Sequence, residues 1–379
     1  MSSRSSEDEG TVALSGQKCS VIMPTYNRPR YLARTLRYLS TYARNYPIII
    51  ADSGPEPTQT ANNETVASYS SLDITYRTYP DSPEPFGGFE SKIADALNHC
   101  DTKYCLLSAD DDLVAPAAIS TCVDFLEQNP DFTVAHGDYL YYWADPKSRL
   151  SLNWKPVYTG RSLTYSDPAL RLEYHLSHYP TDTTYYAVHR TAFLKQILRG
   201  VLDSGLRLMV FRELYSTGIT VIHGKTKHLN VFYCAKDRSS ERVQYVPDVN
   251  RLRTTPEYLR EKGRFIKALA RYLCEDGHVS PETSIITVDT ALTDYLNRAT
   301  HSNPSHLEKS VIAARKMLYA KRAGWAYDYV KRVYRKIFPR DVYSTARGQY
   351  WIMLKSRLDW INYKDFKNIV EFVVSDSLN

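Results

Sequence analysis

Four short apolar runs punctuate the first third of the chain. Each leads into polar residues and then into apolar residues at helical spacing. Ser20-Val21-Ile22-Met23 passes through Pro24-Thr25-Tyr26-Asn27-Arg28-Pro29 to Tyr31, Leu32, Thr35, Leu36 and Leu39. Ile48-Ile49-Ile50-Ala51 ends at Asp52-Ser53-Gly54 and precedes a polar segment holding Thr65, Val66 and Tyr69. Ile74 to Tyr79 predicts a third strand, and a Pro- and Gly-rich loop from Pro80 to Gly88 precedes a predicted helix over Phe89 to Asn98. The fourth run, Tyr104-Cys105-Leu106-Leu107, has no helical period and predicts a buried central strand. Strands alternating with helices at this spacing predict an α/β fold, with a mostly parallel sheet covered by helices on both faces.

Further on, Ile119, Val123, Phe125 and Leu126 predict a helix, and Thr133 to Tyr142 a long strand or hairpin. Residues 143–165, rich in Trp, Tyr, Pro and Gly, read as a loop. Leu170 to Leu176 reads as a short helix, Thr183 to His189 as a strand, and Phe193 to Leu202 as another helix. After Arg251 the pattern turns helical, over Glu257 to Leu273, Val288 to Asn297 and Leu307 to Ile337, with a similar stretch from Trp351 to Val374. The expected organisation is a disordered tail over 1–17, an α/β domain over 18–238 and a helical domain over 239–379.

Composition changes this picture little. Hydrophobic residues make up 43% of the 379, enough for a large core. Tyr outnumbers Phe by 31 to 11, which supplies many apolar surfaces carrying a polar handle. Six cysteines are scattered without a C-x-x-C pair and read as buried free thiols of a reducing compartment. No apolar run is long enough to span a membrane and no leader is evident, so a cytoplasmic protein is expected. The net charge of +6 suits anionic partners without demanding nucleic acid. Nine basic residues stand against Asp328 alone between Val311 and Arg340. That stretch either leaves its charges solvated or makes a peripheral contact with the inner membrane face.

Candidate chemistry gathers at the strand ends, where ligands of such sheets bind. Thr25 to Asn27 follow the first strand, Asp52 the second, and Asp110-Asp111-Asp112 the fourth. Three adjacent carboxylates repel one another in a dry site, and hard oxygen ligands suit Mg²⁺ or Mn²⁺. The competing reading is a solvated turn capping the helix at Pro116, just as Asp-Ser-Gly at Asp52 is also a common turn signal.

The ordered set PTYNR, IIIADSG, a helix bearing Lys92, and SADDD resembles the nucleotide-binding half of the family 2 glycosyltransferases, which have the GT-A (Rossmann-like) fold. The likeness covers roughly Cys19 to Tyr142 and continues more weakly to Lys236. It implies a metal-dependent enzyme that moves a sugar from a nucleoside diphosphate donor, usually UDP-linked, to an acceptor hydroxyl with inversion. Glycan or lipid-linked acceptors in surface polysaccharide or glycoconjugate synthesis are implied with it. By that likeness Pro24, Thr25, Tyr26 and Asn27 line the donor site, with Thr25 and Tyr26 at the uridine, and Asp52 hydrogen-bonds the uracil edge. Lys92 faces the diphosphate, Asp110 lies nearer the ribose beside Asp111, and Asp112 is the metal ligand of a D-x-D motif, with Asp110 as its outer partner.

Attack on the anomeric carbon also needs a base for the acceptor proton. Relatives often carry E-D-x-E-L on a helix here, and in this chain Glu213-Leu214 match its end while Val210 and Phe211 replace the acidic pair. Glu213 is therefore the first candidate, followed by Asp182 and Asp203. His228 or His223 is a candidate further ligand of the metal, and 237–249 a candidate lid. Three other classes remain in view. A binding-only module of the same fold would show no turnover. A sugar nucleotidyltransferase would need a Gly-rich basic loop after the first strand, where Pro24-Thr25-Tyr26-Asn27 stand. An aspartate-nucleophile phosphatase would need an acidic residue there.

Overall fold

The computed structural model describes residues 18–81, 88–145, 148–158, 161–179, 184–238, 255–275, 279–301 and 362–376. The expected tail over 1–17, the basic helix over 307–337 and most of the candidate lid lie outside them.

The first half of the chain folds as its pattern predicts: β1 (Cys19–Thr25), α1 (Pro29–Tyr42), β2 (Ile48–Asp52), α2 (Glu56–Ala67), β3 (Ile74–Thr78), α3 (Phe89–Asn98) and β4 (Tyr104–Leu107). These four strands are parallel neighbours in the order β3-β2-β1-β4. Every residue of β1, β2 and β4 is buried, which is why their sequences are continuous apolar runs rather than alternating ones.

Beyond β4 the sheet becomes mixed. The next elements are β5 (Asp112–Val114), α4 (Pro116–Gln128), β6 (Phe132–Asp145), β7 (Ser148–Tyr158), α5 (Pro168–His178), β8 (Val188–Arg190), α6 (Thr191–Asp203), α7 (Met209–His223) and β9 (Lys225–Asp237). The sheet continues β4-β8-β6-β9-β5, and β7 pairs with β6. Strand β8 runs antiparallel between β4 and β6, β9 runs parallel to β6, and β5 lies antiparallel on β9. Hydrophobic pattern carries no direction, so this switch was not legible beforehand. The stretch expected as a loop from 143 instead extends β6 and returns as β7, with Tyr142 opposite Trp154. The strand expected over Thr183 to His189 is confined to its end.

Period-two alternation splits the buried side chains between two layers. Val21, Met23, Ile48, Ile50 and Leu106 face α1 and α4, while Ile22, Ile49, Ala51 and Leu107 face α3, α6 and α7. The helices of the C-terminal part, α8 (Pro256–Glu275), α9 (Pro281–His301) and α10 (Tyr363–Asp376), join these same layers. Phe265, Leu269 and Leu292 pack in the second, and Phe366, Ile369 and Val370 in the first. Polar contacts fix their positions. The Glu261 carboxylate accepts the N–H of Arg207 at 2.6 Å and of Leu208 at 3.2 Å, just ahead of α7. Asp365 accepts the Ala117 N–H at 2.9 Å in the first turn of α4. Among the described residues all six cysteines are free, five of them buried, and no helix is long and apolar enough to cross a membrane.

Candidate active site

Parallel pairing brings Thr25 of β1 level with Asp52 of β2, and the Asp110 to Asp112 stretch follows β4 on the other side of β1. The polar residues predicted at three strand ends therefore meet at one edge. Asp110, only 2% exposed, accepts the Thr25 hydroxyl at 2.7 Å and one guanidinium N–H of Arg28 at 2.8 Å. The other arm of Arg28 donates to Asp111 at 2.7 Å, so one planar fork bridges two carboxylates. Arg34 donates to the Asp111 carbonyl at 3.0 Å and to Asp237 at 2.6 Å. Asp112 is ion-paired with Lys236, its cross-strand neighbour where β5 lies on β9. Burial pushes Asp110 up to about 7 against the pull of Arg28, and Asp112 up to about 6 against the pull of Lys236. The triplet is therefore no solvated turn.

Three residues expected to meet the donor make contacts with the scaffold in the structure. Asp52 is fully buried, its carboxylate taking the Gly54 N–H at 2.8 Å, the Asn62 amide at 2.7 Å and the Tyr76 hydroxyl at 2.7 Å. It shapes the turn after β2, where a Cβ on Gly54 would lie 3.0 Å from the Asn27 nitrogen. Asn27 has φ of 52°, a left-handed conformation that Asn tolerates, and its side chain accepts the Thr58 hydroxyl at 2.9 Å. Lys92 is 2% exposed and donates to the Thr25 carbonyl at 2.8 Å and the Ser53 hydroxyl at 2.7 Å. It ties two strand-end loops together from beneath, and burial lowers it to about 8. Pro24 is buried in β1, whereas Tyr26 keeps an accessible ring and donates to Asp81 at 3.0 Å.

Glu213 lies half-buried on α7, with the Tyr179 hydroxyl donating to its carboxylate. Burial raises its pKa, and the Tyr179 hydrogen bond acts against that rise. Its neighbour Arg212 pairs with Glu90 of α3. Tyr186 links this helix to the strand-end cluster. Its ring centroid lies 4.1 Å from the Lys236 ammonium, and burial raises the pKa of its hydroxyl against the pull of Lys236, with the charges of Asp112, Glu213 and Asp111 adding to the rise. Asp203 is exposed at the end of α6, acting on Tyr215 and Tyr272, and Asp182 lies outside the described residues. His228 does not join Asp112 but pairs with Asp138 at 2.8 Å, eight residues before Lys236, roughly 26 Å along an extended strand. His223 ends α7 with its ring stacked on Phe193.

Residues 20–193 match the family model described as Glycosyl transferase family 2. Over these residues the chain is a family 2-like glycosyltransferase. No curated protein sequence matches the chain. Among solved structures, S. aureus TarS 1-349 in complex with UDP is 16% identical with a TM-score of 0.46, over 76% of this chain and 73% of that one. The same protein in complex with UDP-GlcNAc is 15% identical at 0.46, over 95% and 92%. The mannosyltransferase PcManGT from Pyrobaculum calidifontis, in complex with GDP-Man and Mn2+, is 13% identical at 0.40, over 95% and 87%. At these scores the structural likeness carries no weight beside the family match.

In this family 2-like segment the fit to a divalent cation is partial. Among the described residues no group of three or more His, Cys, Asp or Glu side chains converges to hold a metal alone. Mg²⁺ and its like are commonly held by one or two carboxylates completed by phosphate oxygens. Asp112 with Asp110 or Asp111 meets that lesser need, so the residues fit a cation that arrives with a diphosphate. Sequence reasoning missed Arg28, Arg34, Lys236 and Asp237. Arg28 closes the PTYNR motif and was within reach of it, but Lys236 and Asp237 carry no local signal.

Proposed function

We propose that this chain transfers a sugar from a nucleoside diphosphate donor, a UDP-sugar first, to an acceptor hydroxyl with inversion, building a surface polysaccharide or glycoconjugate. The observation that carries the reading is the gathering of Asp110 to Asp112, Arg28 and Lys236 at the carboxyl edge of the sheet, where the Tyr186 ring covers the Lys236 ammonium. Tyr26, accessible beside this edge, is the surface on which a base would pack. Asp52, Asn62 and Lys92 hold the loops that present it. When bound, a divalent cation held by Asp112 supplies Lewis-acid charge to the leaving diphosphate.

Glu213 takes the proton of the acceptor hydroxyl as its oxygen forms the new bond to the anomeric carbon. The bond from that carbon to the diphosphate oxygen breaks on the opposite face, leaving the nucleoside diphosphate and the inverted glycoside. Burial suits Glu213 to this work, because a raised pKa makes a carboxylate a stronger base. Calorimetric titration of UDP, with GDP as competitor, tests the donor reading on wild type and Asp112→Ala with and without Mn²⁺. Binding that weakens about tenfold or more in the variant supports it, and absence of nucleotide binding under every condition refutes it.

A further inference from the structure

The charge at Asp112 is met inside the protein. Antiparallel register places Lys236 opposite Asp112, so the backbone and not an excursion of a surface side chain delivers the ammonium. Its charge is paired with the carboxylate Oδ2, and the Tyr186 ring covers it at 4.1 Å from the centroid. Asp112 is 5% exposed, so leaving it without a counter-charge would be costly. Arg28 and Arg34 answer Asp110, Asp111 and Asp237 in the same way. A divalent cation approaching Asp112 alone meets a carboxylate already taken and an ammonium that repels it.

We propose that Lys236 is the counter-ion of Asp112 in the donor-free protein, and that a divalent cation enters only by displacing it, which makes cation binding depend on the nucleotide diphosphate. This rests on the donor reading above. The diphosphate offers the displaced ammonium a new anion and completes the oxygen shell of the cation, two gains missing when the cation comes alone. The dependence is reciprocal, since whatever factor nucleotide adds to cation affinity, cation adds to nucleotide affinity.

Titrating Mn²⁺ calorimetrically, alone and in saturating UDP, on wild type, Lys236→Met and Lys236→Arg tests this without any turnover. Lys236→Met is expected to bind Mn²⁺ alone at least about tenfold more tightly than wild type, about 1.4 kcal/mol. Lys236→Arg stays close to wild type, UDP narrows the gap, and adding Asp112→Asn to Lys236→Met removes the gain. Equal affinity of wild type and Lys236→Met for Mn²⁺ alone overturns the inference. So does tight Mn²⁺ binding by wild type that UDP does not improve, a result that needs no variant to fold. In both cases UDP binding keeps the donor reading standing. Failure of UDP to bind with or without Mn²⁺ instead sinks the donor reading, and the inference falls with it.

Discussion

Strand β9 carries two buried polar clusters of opposite character. Near its start, His228 pairs with Asp138 while the ring of His136, its cross-strand partner, lies 5.4 Å away. Near its end, Lys236 and Asp237 meet Asp112 and Arg34. The first cluster sits inside the sheet, and burial lowers His136 to about 4, keeping it neutral. The second sits where strands end and loops begin, with acids and bases interleaved. Both contain residue types able to bind metals. What separates them is position on the sheet and the density of opposite charge, so residue type alone is a poor guide to a site.

Four changes sharpen or break that contrast. The largest effect is expected from Glu213→Gln, which removes the carboxylate proposed above as the base. Turnover should fall by about two to four orders of magnitude while calorimetric UDP affinity stays near wild type. Retained turnover would return the base to the other candidates. Lys92, beneath the same cluster, comes next. Because its folded pKa is lowered from 10.5 to about 8, its burial costs stability in full below about pH 8 and progressively less as pH rises toward 10.5. Denaturant unfolding of wild type against Lys92→Met should show wild type gaining across that window, by about 3 kcal/mol. A flat difference would mean that the ammonium is not held as the structure has it.

His228→Ala strikes the first cluster. It removes one partner of buried Asp138 and should cost about 1 to 3 kcal/mol of stability with no loss of UDP affinity. A specific loss of nucleotide binding would merge the two clusters into one site. The smallest effect belongs to Tyr179→Phe. The Tyr179 hydrogen bond holds the Glu213 pKa down against burial, so its removal raises that pKa further. The acid limb of the rate profile should then move to higher pH, whereas a purely structural role for Tyr179 would leave it in place.

Much of this was legible in the residues. Continuous apolar runs marked β1, β2 and β4 because strands buried on both faces cannot alternate. The polar residues ending them were placed at one edge because parallel strands share a carboxyl end. Glu213 was singled out through a truncated motif that relatives carry on a helix, and it stands on α7. The partners of Asp52 and Lys92 were not legible. Asn62 and Tyr76 seal Asp52, and the Thr25 carbonyl and Ser53 hydroxyl claim Lys92. A side chain's partners depend on which loops fold over it.

Local chemistry thus determined the elements of the first half, the parallel part of the sheet and the edge where the polar residues gather, because hydrophobic period and turn residues act over a few positions. Only the tertiary structure decided which charge answers which. Lys236 reaches Asp112 across 124 positions of sequence, and Arg34 reaches Asp237 across 203. Such pairs are set by the order and direction of strands β5 and β9, a global property that no local pattern encodes.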